Sequence, residues 1–358
     1  MTEARACLYQ HELYLSSPQI VLPATRVSNE DLVARVRSRF MGDAREWRKI
    51  ERRLQYVFGL FGSEYRYLED GEPRPLHEYA AEIVSACLEA ERLLPEDIDA
   101  VIYGGVCREY FEPATAVQIA AAAGILRPAV ALDVSAACAG VLNAIITFAA
   151  LAATDTSIRR GIVASIEGTG RQSDELGMIC YDIQEASDLM GRAAGLTIGN
   201  AGGAMLVSTA PLRDGGRLLA SLTETYAQHH ALSTAHVNGT FECDSFGLFR
   251  EWRLFPPHIR KLADALGWSA DDIAWFCVHQ PSDRLVEKIA ASFSIPQERV
   301  PRLHAEFGNT VTLSPVMALE SLARRGALRA GDRIIISAAG SGITLTSLAV
   351  EWLGAAQA

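Results

Sequence analysis

The stretch Ala131-Leu132-Asp133-Val134-Ser135-Ala136-Ala137-Cys138-Ala139-Gly140-Val141-Leu142-Asn143-Ala144-Ile145-Ile146 decides how the rest of the chain is read. An apolar run ends in small residues and passes straight into a helical pattern that is apolar almost all round, so a buried strand turns into a buried helix. Cys138 falls at the helix start. There, free backbone N–H groups and the positive end of the helix dipole favour a thiolate, and small neighbours leave room for a substrate carbonyl. A structural cysteine in an alanine-rich turn is the plainer alternative.

The same alternation continues outward. Val101 to Gly105, Val130 to Ser135, Gly161 to Ile166, Trp275 to His279 and Arg333 to Ala338 are strand-like runs ending in small or polar residues, each followed by a helical pattern. Runs such as Arg333-Ile334-Ile335-Ile336-Ser337 are apolar at nearly every position, which predicts a sheet covered by helices on both faces. A repeat is also visible. Pro95 to Ile102 resembles Ala270 to Cys277 at an offset of 175, and Arg160 to Ser165 resembles Asp332 to Ser337 at an offset of 172, as a duplicated α/β unit would produce.

Composition narrows the function. The 358 residues carry a net charge of −10 with 49% hydrophobic and 21% charged residues, which argues against disorder and against a non-specific binder of nucleic acid or anionic membrane. No uninterrupted apolar run approaches the ~20 residues of a membrane span, and the first residues lack a signal-peptide core, so a soluble cytoplasmic protein is expected. The 7 cysteines form an odd set with no C-x-x-C pair, so neither a disulfide framework nor a zinc site is suggested. Residues 35 to 53 hold eight basic and three acidic side chains, a local +5 that suits the phosphates of a nucleotide-bearing substrate, an acidic carrier, or merely a solvated face. Thr223 to Arg253 has weak periodicity and reads as a long excursion over the core.

Three further segments carry chemistry. His279 ends a buried strand and precedes Gln280-Pro281, where an imidazole can project into a crevice at the sheet edge. Asn309 lies in Gly308-Asn309-Thr310, ordinarily turn or N-cap material. Gly340-Ser341-Gly342 follows another buried strand and lets backbone approach a ligand closely.

Together, Asp133 to Gly140, His279-Gln280, Gly308-Asn309-Thr310 and Gly340-Ser341-Gly342 resemble the thiolase superfamily, and within it the ketoacyl-carrier-protein synthase III branch. The resemblance implies a duplicated αβαβα layered sandwich with pseudo-twofold halves, residues 1–212 and 213–358, with Cys138 and Asn309, 171 residues apart, in corresponding helices. It implies that Cys138 is acylated, that His279 and Asn309 stand over it, and that the N–H groups of Cys138 and Ser341 form an oxyanion hole. The segment Val106-Cys107-Arg108-Glu109-Tyr110-Phe111-Glu112-Pro113 is most similar to OleA-type enzymes, which join two acyl-CoA chains head to head. In those enzymes a Glu just before a Pro comes from the partner subunit and acts as base. The His229-His230 pair is similar to them as well.

The resemblance thus implies a homodimeric Claisen condensing acyltransferase without metal or redox cofactor, with Glu112 as base and acyl-CoA or acyl-carrier-protein as substrate. Arg45, Arg48 and Lys49 are the candidates for CoA phosphates. A decarboxylating synthase or acyltransferase that uses malonyl thioester, and a non-catalytic subunit of a condensing heterodimer, are the rival readings. Pro281, and Pro315 soon after Asn309, depart from the usual pattern and leave the pocket shape open.

Overall fold

The computed structural model describes residues 4–69, 74–168, 179–236 and 241–355. The predicted strands form at Ala100–Tyr103, Val130–Asp133, Arg160–Glu167, Trp275–Val278 and Arg333–Gly340. The first three are mutually parallel, with Ala100–Tyr103 in the middle. Arg160–Glu167 then pairs antiparallel with Ala201–Ser208. The second half repeats this: Trp275–Val278 runs parallel to Arg333–Gly340, which pairs antiparallel with Gly342–Ala355. The strand Asp214–His229 extends that set and meets Tyr14–Ser16, so hydrogen bonding runs from one half into the other.

Alternation of side chains explains the layering. In the first half Ala100, Ile102, Val163 and Met205 point into one apolar cluster while Val101, Tyr103, Ile162 and Leu206 point into another. In the second half Cys277, Ile334 and Ile336 join the first of these, whereas Phe276, Val278 and Ile335 pack on the opposite side. Both halves of the sheet are therefore buried on both faces, as continuous apolar strands require. Between them lie helices Gly140–Thr154 and Ser314–Arg324; outside lie Leu76–Glu91 and Thr115–Ala122 on one side, Phe255–Ala265 and Asp283–Ser292 on the other. The stretch 137–154 is long and apolar enough by composition to cross a membrane, but Val141, Leu142, Ala144, Ile145 and Phe148 fill the shared central core.

The pseudo-symmetry corrects one expectation. Helix Ser314–Arg324 begins 174 residues after Gly140–Thr154, and each is entered through a three-residue 3₁₀ turn, Val311–Leu313 and Ala137–Ala139. Val311 and Ala137 both have positive φ, 51° and 46°. The counterpart of Cys138 is thus Thr312. Asn309 stands before the second turn, in no helix, because Gly308 at φ 66° turns the chain there. Pro315 fits without strain: it occupies the first turn of its helix, where a missing N–H costs nothing. The excursion from Thr223 opens as ordered sheet, since Asp214–His229 stays paired along Gly342–Ala355; only then come the Ser233–Ala235 and Phe241–Cys243 hairpin and the Ser245–Arg250 helix.

Candidate active site

Cys138 sits in the Ala137–Ala139 turn, partly exposed, against the apolar cluster that contains Leu196, Ile198 and Val311. The two 3₁₀ turns touch, and the Val141 N–H, an orphan donor at the helix start, is donated to Thr312 Oγ1 at 2.9 Å. From the other side comes the C-terminal glycine turn. A Cβ on Gly340 would lie 2.4 Å from the Ala136 carbonyl oxygen and 3.3 Å from the Ala139 nitrogen, so only glycine lets this backbone reach the cysteine turn. Ser341 follows immediately and is held by a 3.1 Å hydrogen bond from its Oγ to Ser233 Oγ. His229 pairs across the sheet with Gly342.

The expected low-pKa thiol is not what the fold provides. Protein atoms crowd the sulfur, and burial pushes the Cys138 thiol up to about 12, with the charges of Glu167 and then Cys243 adding to the rise. The cysteine lies in the turn before Gly140–Thr154, and the dipole of that helix does not outweigh these.

His279 and Asn309 are brought together. His279 Nε2 lies 3.2 Å from Asn309 Oδ1, which also accepts the Val311 N–H at 3.0 Å. A backbone N–H can only donate, so that amide atom is the oxygen and His279 Nε2 must carry a proton toward it. Burial lowers the His279 pKa to about 4, only partly offset by the Asn309 bond, so the ring is neutral at pH 7. The pair thus presents a neutral imidazole N–H and an amide NH₂. Gln280 pegs the strand end that carries the imidazole: it is fully buried, its Nε2 donates to Pro301 O at 2.7 Å, and its Oε1 accepts the Leu303 N–H at 2.8 Å. His304 donates through Nδ1 to Gln280 O at 2.9 Å and lies 2.6 Å from Ser63 Oγ through Nε2.

The remaining candidates stand apart. Glu112 is exposed on the loop after Ala100–Tyr103, with no hydrogen bond or ion pair among the described residues. Arg45, Arg48 and Lys49 are exposed on helix Ala44–Phe61, and Lys49 pairs with Glu46 at 2.7 Å. Other members of the basic stretch have structural uses: Arg37 lies over the rings of Phe40 and Trp47, and Arg53 donates to Ala186 O. Sequence reasoning missed Glu167, a fully buried carboxylate raised to about 7 by desolvation. Its only signal was a carboxylate at the end of an otherwise apolar strand. It also missed Cys243, which the hairpin delivers beside Cys138.

Residues 263–352 match the family described as 3-Oxoacyl-[acyl-carrier-protein (ACP)] synthase III C terminal. The chain is 27% identical to β-ketoacyl-[acyl-carrier-protein] synthase III 3 of Streptomyces coelicolor, covering 92% of this chain and 94% of that one. It is 28% identical to a β-ketoacyl-[acyl-carrier-protein] synthase III of Pseudomonas aeruginosa, over 77% and 82%. A variant of Xanthomonas campestris OleA superposes with a TM-score of 0.84 over 97% of this chain and 100% of that one, at 20% identity. In its C-terminal residues, its sequence relatives and its fold, the chain is similar to the 3-oxoacyl synthase III-like branch. The FabH structure of Pseudomonas aeruginosa agrees, with a TM-score of 0.79, 23% identity, and coverage of 97% and 100%. The synthase III-like chain is accordingly a condensing acyltransferase.

Proposed function

We propose that this acyltransferase joins two acyl-CoA molecules through an acyl-Cys138 intermediate, with Glu112 of the partner subunit in a homodimer as the base. The observation that carries the reading is the neutral, donor-bearing His279 and Asn309 pair, in which Asn309 accepts the Val311 N–H of the turn that touches the cysteine turn, itself approached by Gly340. Cys138 sulfur attacks the first thioester carbonyl, CoA leaves with the thiol proton, and the N–H groups of Cys138 and Ser341 hold the oxyanion. Glu112 then takes an α-proton from the second acyl-CoA. Donors from His279 and Asn309 stabilise the enolate oxygen, which carries charge only as the reaction proceeds. Carbon attack on the acyl-cysteine releases the sulfur and leaves a β-keto thioester. A Xanthomonas campestris OleA variant of this fold was solved with lauric acid and lauroyl-CoA bound, which supports an acyl-CoA substrate.

A decarboxylating synthase is the second reading, favoured by the names of the relatives found by sequence. Glu112→Gln separates the two. On the first reading it leaves acylation of Cys138 intact, seen as one hydroxylamine-sensitive acyl mass, and lowers condensation of simple acyl-CoAs by about 10²–10⁴-fold. Wild type that condenses only with malonyl thioester, together with an indifferent Gln variant, establishes the second. A label on another cysteine, or acylation of Cys138→Ala, removes the mechanism altogether.

A further inference from the structure

Three neighbouring parallel strands end in polar residues, Tyr103, Asp133 and Glu167, and the side chains of all three reach the same loop. Glu167 Oε1 accepts the Val106 N–H at 3.0 Å, and the Tyr103 hydroxyl lies between the carbonyl oxygens of Cys107 and Ile166. Asp133 accepts the N–H groups of Thr115 and Ala116 at 3.0 and 2.9 Å and pairs with Arg108 Nε at 3.3 Å. The outer edge is fixed too. Glu109 Oε1 accepts the Leu76 N–H at 3.2 Å, at the start of a helix that has no side-chain cap of its own. At the root, Gly104 and Gly140 meet backbone to backbone: a Cβ on Gly140 would stand 1.8 Å from the Gly104 oxygen. The loop is thus held at Val106, Cys107, Arg108 and Glu109, and the helix that follows it is held at its first residues, Thr115 and Ala116. Tyr110, Phe111 and Glu112 project from the loop, with Phe111 91% exposed.

We propose that residues 104–116 are a preformed strap, and that Asp133, Tyr103 and Glu167 are positioning residues that aim Glu112 out of its own subunit. The inference rests on the reading of Glu112 as a base that acts in the neighbouring site. A carboxylate at the end of an unsupported loop would pay ordering entropy at each encounter, whereas one fixed by strand ends does not. Because the bonds are made to strands of the subunit that supplies Glu112, damage to them must travel with that subunit.

Mixed dimers test this. One subunit carries Cys138→Ala and supplies Glu112; the other carries Glu112→Gln and supplies Cys138, so one working site remains. Asp133→Asn, which leaves one acceptor for two N–H donors, is placed in either subunit, and Tyr103→Phe is run in parallel as a milder change. Acylation of Cys138 is measured by mass and condensation by product formation. The strap requires Asp133→Asn in the Glu112 subunit to lower condensation about 10- to 100-fold, a loss typical of misplaced catalytic groups, with acylation unchanged. The same substitution in the Cys138 subunit must have little effect. Equal losses from both placements, or no loss from either, overturn it. If the parent dimer acylates but never condenses, the action of Glu112 across subunits has failed. The strap is then judged on homodimers, where Asp133→Asn must slow turnover and spare acylation, or it is wrong as well.

Discussion

A thiol raised to about 12 is protonated at neutral pH, so on the proposed mechanism the reactivity of Cys138 belongs to the loaded site and not to the resting protein. Alkylation of Cys138 by iodoacetamide is expected to climb with pH without a plateau below pH ~10, because the thiolate fraction is still rising there. Glu167 is the leading charge behind that rise after burial, so Glu167→Gln lowers the cysteine pKa and speeds alkylation at pH 8. An unchanged rate, followed by mass spectrometry of the Cys138 peptide, contradicts the coupling. Gly340 is as tightly constrained. A methyl group there must displace the Ala136 carbonyl, and Gly340→Ala is expected to cut acylation by ten-fold or more while the fold survives, as circular dichroism would check.

Among elements, glycines of similar appearance have opposite roles. Gly59 lies in helix Ala44–Phe61 with nothing within 4 Å of a built Cβ, so Gly59→Ala stabilises by about 0.5–1 kcal/mol in urea unfolding. Gly140→Ala has no such space; the Gly104 oxygen stands in its way, the central helix must move, and about 3 kcal/mol or more is lost. Neither sign could be read from the sequence, where both glycines simply interrupt helical patterns. Strand positions, by contrast, were legible, because burial on both faces leaves an unbroken apolar run. The cysteine turn and His279 were legible for the same reason, each standing where such a run stops. Glu167 was not, since its importance depends on the loop folding back onto it. The equivalence of Asn309 with Cys138 that the resemblance implies does not hold, because the two 3₁₀ turns align Cys138 with Thr312 and leave Asn309 before the second turn.

At the scale of the whole molecule, buried titrating groups set the response to acid. His279 and His304 are both held near 4, against 6.5 when unfolded, so the stability they confer is complete above about 6.5 and lost as pH falls toward 4. Glu167, raised from 4.5 to about 7, has the opposite sign: its contribution is complete below about 4.5 and lost as pH rises through 7. Each corresponds to about 3 kcal/mol, so Glu167 offsets one histidine. Glu167→Gln should therefore gain about 3 kcal/mol relative to wild type between pH 4 and pH 7, read from urea midpoints at both; parallel curves would refute the buried charge. The duplicated architecture also bears on how many reactive centres one chain can have. Thr312 occupies in the second half the place that Cys138, the proposed nucleophile, holds in the first, and its hydroxyl is already committed to the first helix through the Val141 N–H. A cysteine at position 312 would leave that N–H without its oxygen. One half has become the workbench on which the other operates, so a double-headed version of this enzyme cannot be made by restoring symmetry.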